Sequence, residues 1–362
     1  MNVKVKKGLK VFGIVLLALV LILAGYIAYL FIDYDRVEDN LKLDVLGDAK
    51  LDTVQVGEEY EIVSFNIGFG AYEPDYGFFM DGGTESRAFS EERLLANLSD
   101  IESFIEDRDA DFYLLQEVDE DGTRTYHVNE RARFEKLLTG YASVWAQNWD
   151  SSYLFYPVTQ PHGKNLAGMM TFSRFDVNSA LRRSLPIEDT LMKIVDIDRC
   201  YSVSRIAVAN GKELVVYNAH LSAYTSDGKI AEDQIKLLAA DMSAEYENGN
   251  YVICGGDFNK DLHGNAEEIF GVSGEEYTWA QPFPTSLIEK LPISLVVPYD
   301  ESKPVPSCRN ADGPYNESQF VLTVDGFIVS DNVEVVKSNV IDVGFEYSDH
   351  NPVYMNFKLL EK

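Results

Sequence analysis

Several things are scarce in this 362-residue chain. Cysteine occurs three times, at Cys200, Cys254 and Cys308, with no CxxC spacing. That excludes a thiolate zinc site and a disulfide framework, and Cys254, inside the apolar run Tyr251–Cys254, is expected to be a small core residue. Basic residues are outnumbered, 31 Lys+Arg against 59 Asp+Glu, for a formal net charge of −28. No Lys/Arg-rich run stands outside the N-terminal segment, so the electrostatic footprint of a nucleic-acid binder is missing. Repeats and low-complexity linkers are absent as well. With 46% hydrophobic and 25% charged residues, the composition is globular and excludes a disordered or collagen-like chain.

Charge is absent altogether from residues 11–32 (VFGIVLLALVLILAGYIAYLFI). As a helix these 22 positions reach about 33 Å, enough for the hydrocarbon core of a bilayer. Lys4, Lys6, Lys7 and Lys10 precede the run, and Asp33, Asp35, Glu38 and Asp39 follow it. The lysine bias sets the N-terminus in the cytoplasm and the rest of the chain outside it. A cleaved signal peptide is the competing reading, but its apolar core is shorter and ends at a small-x-small site, which the run lacks. An all-round apolar helix at the extreme terminus also argues against a buried core helix. Gly13 and Gly25 are too far apart for a GxxxG face, so assembly with another membrane protein has no positive support. The expected organisation is a basic cytoplasmic tail at 1–10, a transmembrane helix at 11–32, an acidic linker at 33–59 and one domain at 60–362.

In that domain short β-like runs alternate with helices. Glu61–Phe65 and Phe112–Leu115 read as strands. Between them Leu94, Leu95, Leu98, Ile101, Phe104 and Ile105 follow helical spacing after an N-cap at Ser90. A second helix is expected over 129–139 and a third over 229–247. Tyr201–Ala209 and Glu213–Ala219 flank Asn210-Gly211, a hairpin signal that suits a type I′ turn. Strands recur at 251–254, 322–329 and 352–359, while 275–320 reads as long loops. The order suits two sheets packed face to face with helices outside.

Apolar runs repeatedly stop at a side chain that can bind metal or move protons. Phe65 is followed by Asn66, Gln116 by Glu117, Ala219 by His220, Gly256 by Asp257 and then Asn259, Val324 by Asp325, and Ser348 by Asp349-His350. Polar groups at strand ends can converge in one cleft, and a divalent cation is a common partner for several buried carboxylates. The segments Ser64-Phe65-Asn66, Gln116-Glu117-Val118, Asn218-Ala219-His220-Leu221, Gly256-Asp257-Phe258-Asn259, Val324-Asp325-Gly326 and Ser348-Asp349-His350-Asn351-Pro352 together resemble the endonuclease/exonuclease/phosphatase superfamily, over about residues 60–360. The resemblance implies a four-layer α/β/β/α sandwich and a metal-dependent phosphoester hydrolase.

It further implies that Glu117 is the principal ligand of Mg²⁺ or Mn²⁺, with Asn66 and Asp349 completing the shell directly or through water. Asp257 would orient or deprotonate the attacking water, with Asn259 beside it contacting the phosphate or a second metal. His350 would be a charge-stabilising or proton-handling imidazole paired with Asp325, and His220 would donate to a phosphate oxygen. Some members carry an acid two residues after the motif Asn, where this chain has Gly68. His162, Lys164 and Asn165 are candidates for substrate contact. Arg124, His127, His263 and Arg174 are weighed as structural or surface residues, and the aromatic stretch Tyr141–Tyr156 as core or rim.

Without residues 1–32 the chain carries 27 basic and 59 acidic side chains, which repel a polyanion at long range. A small or lipid-type phosphoester is therefore ranked before extracellular DNA or RNA. The reading from another class is a catalytically inactive, membrane-tethered binding module, against which the intact set of Asn66, Glu117, His220, Asp257, Asn259, Asp349 and His350 argues. No protein partner is implied.

Overall fold

The structure, a computed structural model, describes residues 3–223, 228–273 and 281–361. It opens on helix α1 (Val3–Asp33), followed by β1 (Leu41–Leu43), β2 (Val45–Leu46) and β3 (Glu59–Asn66). Helix α2 (Glu91–Arg108) leads to β4 (Phe112–Gly122), and α3 (Glu130–Leu137) to β5 (Ala142–Asp150), β6 (Asn165–Ser173) and β7 (Val177–Ser184). The hairpin β8 (Cys200–Ala207) and β9 (Glu213–His220) precedes α4 (Lys229–Glu247), β10 (Tyr251–Asp257) and the short α5 (Ala266–Phe270). The chain closes with β11 (Ile293–Val296), β12 (Cys308–Arg309), β13 (Val321–Leu322), β14 (Asp325–Ser330), β15 (Val333–Val340) and β16 (Val353–Leu359).

One seven-stranded sheet runs β1-β7-β8-β9-β10-β14-β11 and the other β15-β16-β3-β4-β6-β5-β2, while β12 and β13 pair separately. Period-two alternation explains how the layers stack. In β3, Ile62 faces the other sheet, where it joins Phe112, Leu114, Val216, Ile253 and Phe327. Its neighbours Val63 and Phe65 face outward, against Leu94, Leu98 and Ile101 of α2. In the second sheet Val215, Tyr217, Val252 and Cys254 face Ile235, Leu238 and Met242 of α4. The result is the expected four-layer α/β/β/α sandwich. Ser90 caps α2, its side chain accepting from the Arg93 N–H at 3.2 Å, with Glu91 and Glu92 in the first turn.

The two sheets approach closely at Gly255, where an added Cβ would come within 2.7 Å of Leu114 Cδ1 and 2.9 Å of the Phe327 ring. Leu114 is wholly buried between the sheets. Leu114→Ala should therefore leave an unrelaxed void and cost about 2–5 kcal/mol. Urea unfolding followed by circular dichroism checks this, and a midpoint equal to wild type would contradict it.

Four expectations are corrected. Part of the 33–59 stretch is drawn into the domain: β1 pairs with β7, and Val45–Leu46 with Val144 and Ser143 of β5. Its apolar residues Leu43 and Val45 pack on the intersheet core, which an acidic average conceals. The β8–β9 hairpin forms, but only Gly211 of the Asn-Gly pair takes a positive φ, +83°. The Gly211 N–H donates to Val208 O, so the loop is a longer one with a left-handed glycine rather than a type I′ turn. The stretch 322–329 is broken: β13 ends at Leu322 and β14 begins at Asp325, because the Ser307 hydroxyl accepts from the N–H groups of Val324 and Asp325. Within 275–320 the structure adds β11 and β12; residues 275–280 of that stretch lie outside the described residues.

Helix α1 buries none of its residues. It is long and apolar enough to cross a membrane, a property shared by spans and by signal sequences.

Candidate active site

The strand ends predicted from sequence open on one cleft of about 930 Å³, lined by Glu117, His220, Asp257, Asn259, Asp349 and His350. Register explains the convergence. Asp257 at the end of β10 sits opposite His220 of β9 on one side and Asp325 of β14 on the other. Gly256 immediately before it must be glycine: its φ is +152° and a Cβ would fall 1.9 Å from Ala219 O. Asn66 ends β3 beside Gln116 of β4. Glu117 follows at a bulge between Leu115 and Val118, with φ +54°, a left-handed conformation that costs a non-glycine residue and marks an aimed side chain.

A network ties the carboxylates together. The Asn66 amide donates to Glu117 Oε1 at 3.2 Å and Asp257 Oδ2 at 3.1 Å, while its own oxygen accepts from the Gly68 N–H at 3.0 Å. Asn66 thus presents its NH₂ end, not its oxygen, to the acids and acts here as a bridge between them. Asn259 donates to Asp257 through its backbone N–H at 2.8 Å and its amide at 3.1 Å. His350 Nδ1–H donates to Asp325 Oδ2 at 2.8 Å, and the Ser307 hydroxyl donates to the same oxygen at 2.7 Å. His350 Nε2 lies 3.9 Å from Asp257 Oδ2, and His220 Nε2 lies 3.5 Å from that oxygen and 4.0 Å from Glu117 Oε1. The Ser348 hydroxyl donates to Asn66 O at 2.8 Å, which pins the Asp349-His350 turn to β3.

Burial sets the charges. It pushes Asp257 up to about 7, against the pull of His350 and with the Asp325 charge adding to the shift. Burial also raises Asp349, and the Glu117 charge raises it further against His350. His220 is driven well below its ordinary range by burial and then by Arg199 and His350, so it is neutral. Burial opposes a charged His350 too, but the Asp325 carboxylate overrides it and holds the imidazole well above its usual value.

The donor set suits a hard divalent cation. Glu117, Asp257 and Asp349 bring three carboxylates to one cleft, and two of them are buried to the point of resisting ionisation. A Cβ at Gly68 would come within 3.2 Å of Asp349 Oδ1, so the glycine leaves room beside that oxygen. Asp257, Asp325 and His350 also lie close enough together to hold an ion. In that group Nδ1 of His350 is already committed to Asp325.

The three candidates at 162–165 separate. His162 is buried in the cleft wall against the Trp149, Phe78 and Phe79 rings, with Nδ1 donating to Ser86 O at 2.5 Å. Asn165 is buried elsewhere, accepting from the Arg124 N–H at 3.0 Å, and Lys164 lies 3.5 Å from Asp150 on the surface; neither lines the cleft. His127 is exposed beside Asp121, His263 packs on Phe270 and Tyr299, and Arg174 braces Asp109 and Tyr141.

His162 carries a pH prediction. Burial, then the Arg124 charge, lowers it to about 3. A histidine held neutral in the fold but free to protonate in the unfolded chain stabilises fully above about pH 6.5, and this is lost as pH falls toward 3. His162→Gln should flatten the decline in urea midpoint between pH 7.5 and 5, and an unchanged decline would contradict it.

Some cleft residues carried no local signal. Arg124, weighed as structural, does line the cleft; it is buried, paired with Asp119 at 2.7 Å and stacked 3.9 Å from the Phe69 ring centroid. Arg199 donates to Leu221 O at 2.8 Å behind His220. Arg309 donates its N–H to Asp349 O at 2.9 Å. Lys260 holds the Asp257–Asn259 turn through Ser222 O and Asn259 O at 3.1 and 2.9 Å, and burial lowers it to about 8. Gln116 and Asn218, quoted among the motifs, join the two sheets by a 2.8 Å hydrogen bond.

The profile of the Endonuclease/Exonuclease/phosphatase family matches residues 63–350. No curated protein sequence matches the chain significantly. Among solved structures, an endonuclease/exonuclease/phosphatase from Beutenbergia cavernae is similar at 17% identity and a TM-score of 0.55, over 83% of this chain and 72% of that one. ANGEL2, a 2′,3′-cyclic phosphatase in complex with adenosine-2′,3′-vanadate, is similar at 19% identity and 0.55, over 88% and 99%. The human nocturnin catalytic domain with bound sulfate is similar at 16% identity and 0.50, over 88% and 97%. At these identities the likeness concerns the fold.

Proposed function

Because the chain belongs to the endonuclease/exonuclease/phosphatase family, and is thereby a phosphoester-hydrolysing enzyme, we propose that it is a membrane-anchored, Mg²⁺- or Mn²⁺-dependent phosphoesterase acting on a small or lipid-type substrate. The observation that carries this reading is the meeting of Glu117, Asp257 and Asp349 with the Asp325–His350 pair in one cleft. Glu117 and Asp349 would hold the cation, Asn66 keeping Glu117 and Asp257 in place. Bound there, the cation would neutralise charge on the phosphate and favour ionisation of a water.

The side chains divide the remaining work. Asp257, fixed by Asn66 and two bonds from Asn259, accepts the proton of the attacking water. The water oxygen bonds to phosphorus, the ester P–O bond breaks, and the leaving oxygen departs with a proton. Neutral His220 donates to a non-bridging oxygen. The His350 imidazolium, kept charged by Asp325, offsets negative charge growing on the phosphoryl group. The lysines before α1 favour a cytoplasmic N-terminus and a domain on the opposite side.

The test is release of p-nitrophenol from bis-p-nitrophenyl phosphate by the full chain in nanodiscs, alongside DNA, RNA, sphingomyelin and inositol phosphates. Release should require Mg²⁺ or Mn²⁺ and stop with chelator. Release indifferent to chelation would contradict the metal assignment, and cleavage of nucleic acid alone would overturn the substrate ranking.

A further inference from the structure

Tyr26, a residue of the apolar helix α1, lines the same cleft as Glu117 and His350. It is held there by specific contacts. The Tyr26 hydroxyl donates to Tyr153 O at 3.1 Å and accepts from the Phe155 N–H at 3.3 Å, and its ring meets Phe155 edge-on at 5.2 Å. One turn later the Tyr29 hydroxyl accepts from the Tyr153 N–H at 3.0 Å. Just past the helix, Arg36 donates to Leu185 O at 2.5 Å and the Val37 N–H to Asp198 Oδ2 at 2.9 Å. The end of α1 is thus fastened to two segments, 153–156 and 185–198, and both supply cleft wall: Leu154 and Tyr156 from the first stretch, Ile187 and Ile197 from the second.

Large apolar side chains in or beside the cleft wall point to solvent. Val158 is 83% exposed and Leu191 72%, and Met80, Phe155 and Tyr156 are each more than half exposed. Outside α1, few large apolar side chains among the described residues are so open. Tyr26 precedes Asp33 by seven residues, about 10 Å of helix, and tyrosines at such depth belong to the membrane–water boundary. Whatever touches Tyr26 and Tyr29 shares that depth.

From this geometry we infer that the mouth of the cleft is a bilayer-contact surface, and that the substrate is a phosphoester of a lipid in the membrane that anchors the chain. The inference rests on the phosphoesterase reading above and names its substrate class. The occupant is the lipid surface because the helix that enters the membrane is the element that frames the mouth. Apolar side chains around the loop 153–158 dip into the headgroup region, a depth of about 5–10 Å for interfacial elements. A chain of net charge −28 gains little from attraction to anionic lipids, so apolar insertion is what holds the mouth down. Hydrolysis there consumes one water: its oxygen joins the headgroup phosphorus, one P–O ester bond breaks, and the alcohol leaves with a proton.

Two measurements on the full chain in nanodiscs of phosphatidylcholine, phosphatidylglycerol and sphingomyelin test this. Cys200, Cys254 and Cys308 are buried, so a nitroxide can be attached selectively at Val158→Cys, with Val336→Cys on β15 as reference. The label at 158 should be relaxed by oxygen and shielded from an aqueous nickel chelate, and the label at 336 the reverse. Equal exposure of both to the chelate overturns the docking surface.

The second measurement compares wild type with the triple variant Phe155→Ser, Val158→Asp, Leu191→Asp. Lipid headgroup release should fall at least tenfold in the variant, with bis-p-nitrophenyl phosphate turnover within twofold of wild type. Wild type that cleaves the soluble diester but releases headgroup from none of these lipids overturns the inference and leaves the phosphoesterase reading standing. Wild type inactive on both, with metal supplied, overturns that reading as well. Loss of residues 1–32 from the mature chain, read by mass spectrometry, also overturns the inference.

Discussion

Glu117→Ala should lower turnover of bis-p-nitrophenyl phosphate at least a hundredfold, about 3 kcal/mol of barrier. Glu117 occupies a bulge in β4 at a φ of +54°, and the Asn66 amide and His220 surround its carboxylate. In the proposed site, truncation would remove an anionic ligand that Asp349 alone does not replace. The side chain is about a quarter exposed, so its loss should leave the fold intact, which the thermal melt will report. Glu117→Gln, of equal length but uncharged, should lose nearly as much, because a neutral amide binds a hard cation poorly. Wild-type turnover in either variant would reject Glu117 as a ligand.

Asp257→Asn should be as damaging or more, about a thousandfold in kcat with little change in KM, within the range expected of a lost general base. Asparagine fits the space and can still accept from the Asn259 N–H, but its NH₂ end then meets the Asn66 and Asn259 amides, so the proton acceptor is lost and two hydrogen bonds with it. The position allows little else: Gly256 holds the backbone against Ala219, and Asp257 stands in register between His220 and Asp325. A loss smaller than tenfold would transfer the base role to another group, neutral His220 being the nearest candidate at 3.5 Å.

The sequence exposes those parts of the molecule whose causes are local. Alternation in Ile62–Phe65 and Phe112–Leu115 gives the two-faced strands, the Leu94–Ile105 spacing gives α2, and apolar runs broken by a single acid or histidine mark the strand ends that meet in the cleft. What stays hidden depends on distant chain. The Ser307 hydroxyl that orients Asp325 is 18 residues away, and the Tyr26 contact with Tyr153 spans 127. Arg199 and Lys260 act through carbonyls that only the folded loops bring near. The Asn66 oxygen accepts from one backbone N–H at Gly68, and its amide donates to Glu117 and Asp257, contacts that adjacency in sequence does not reveal. Lys164 and Asn165 fail for a related reason: adjacency to His162 in sequence does not carry them to its side of the wall.

In the proposed hydrolysis one divalent cation is held by Glu117 and Asp349, two residues far apart in the sequence. Titration of Mn²⁺ into the full chain, with free ion counted by electron paramagnetic resonance, tests this. Wild type should remove Mn²⁺ from solution in a saturable step that Mg²⁺ competes away, and Glu117→Ala and Asp349→Asn should each weaken that step at least tenfold. A wild-type isotherm retained in both variants would contradict the account.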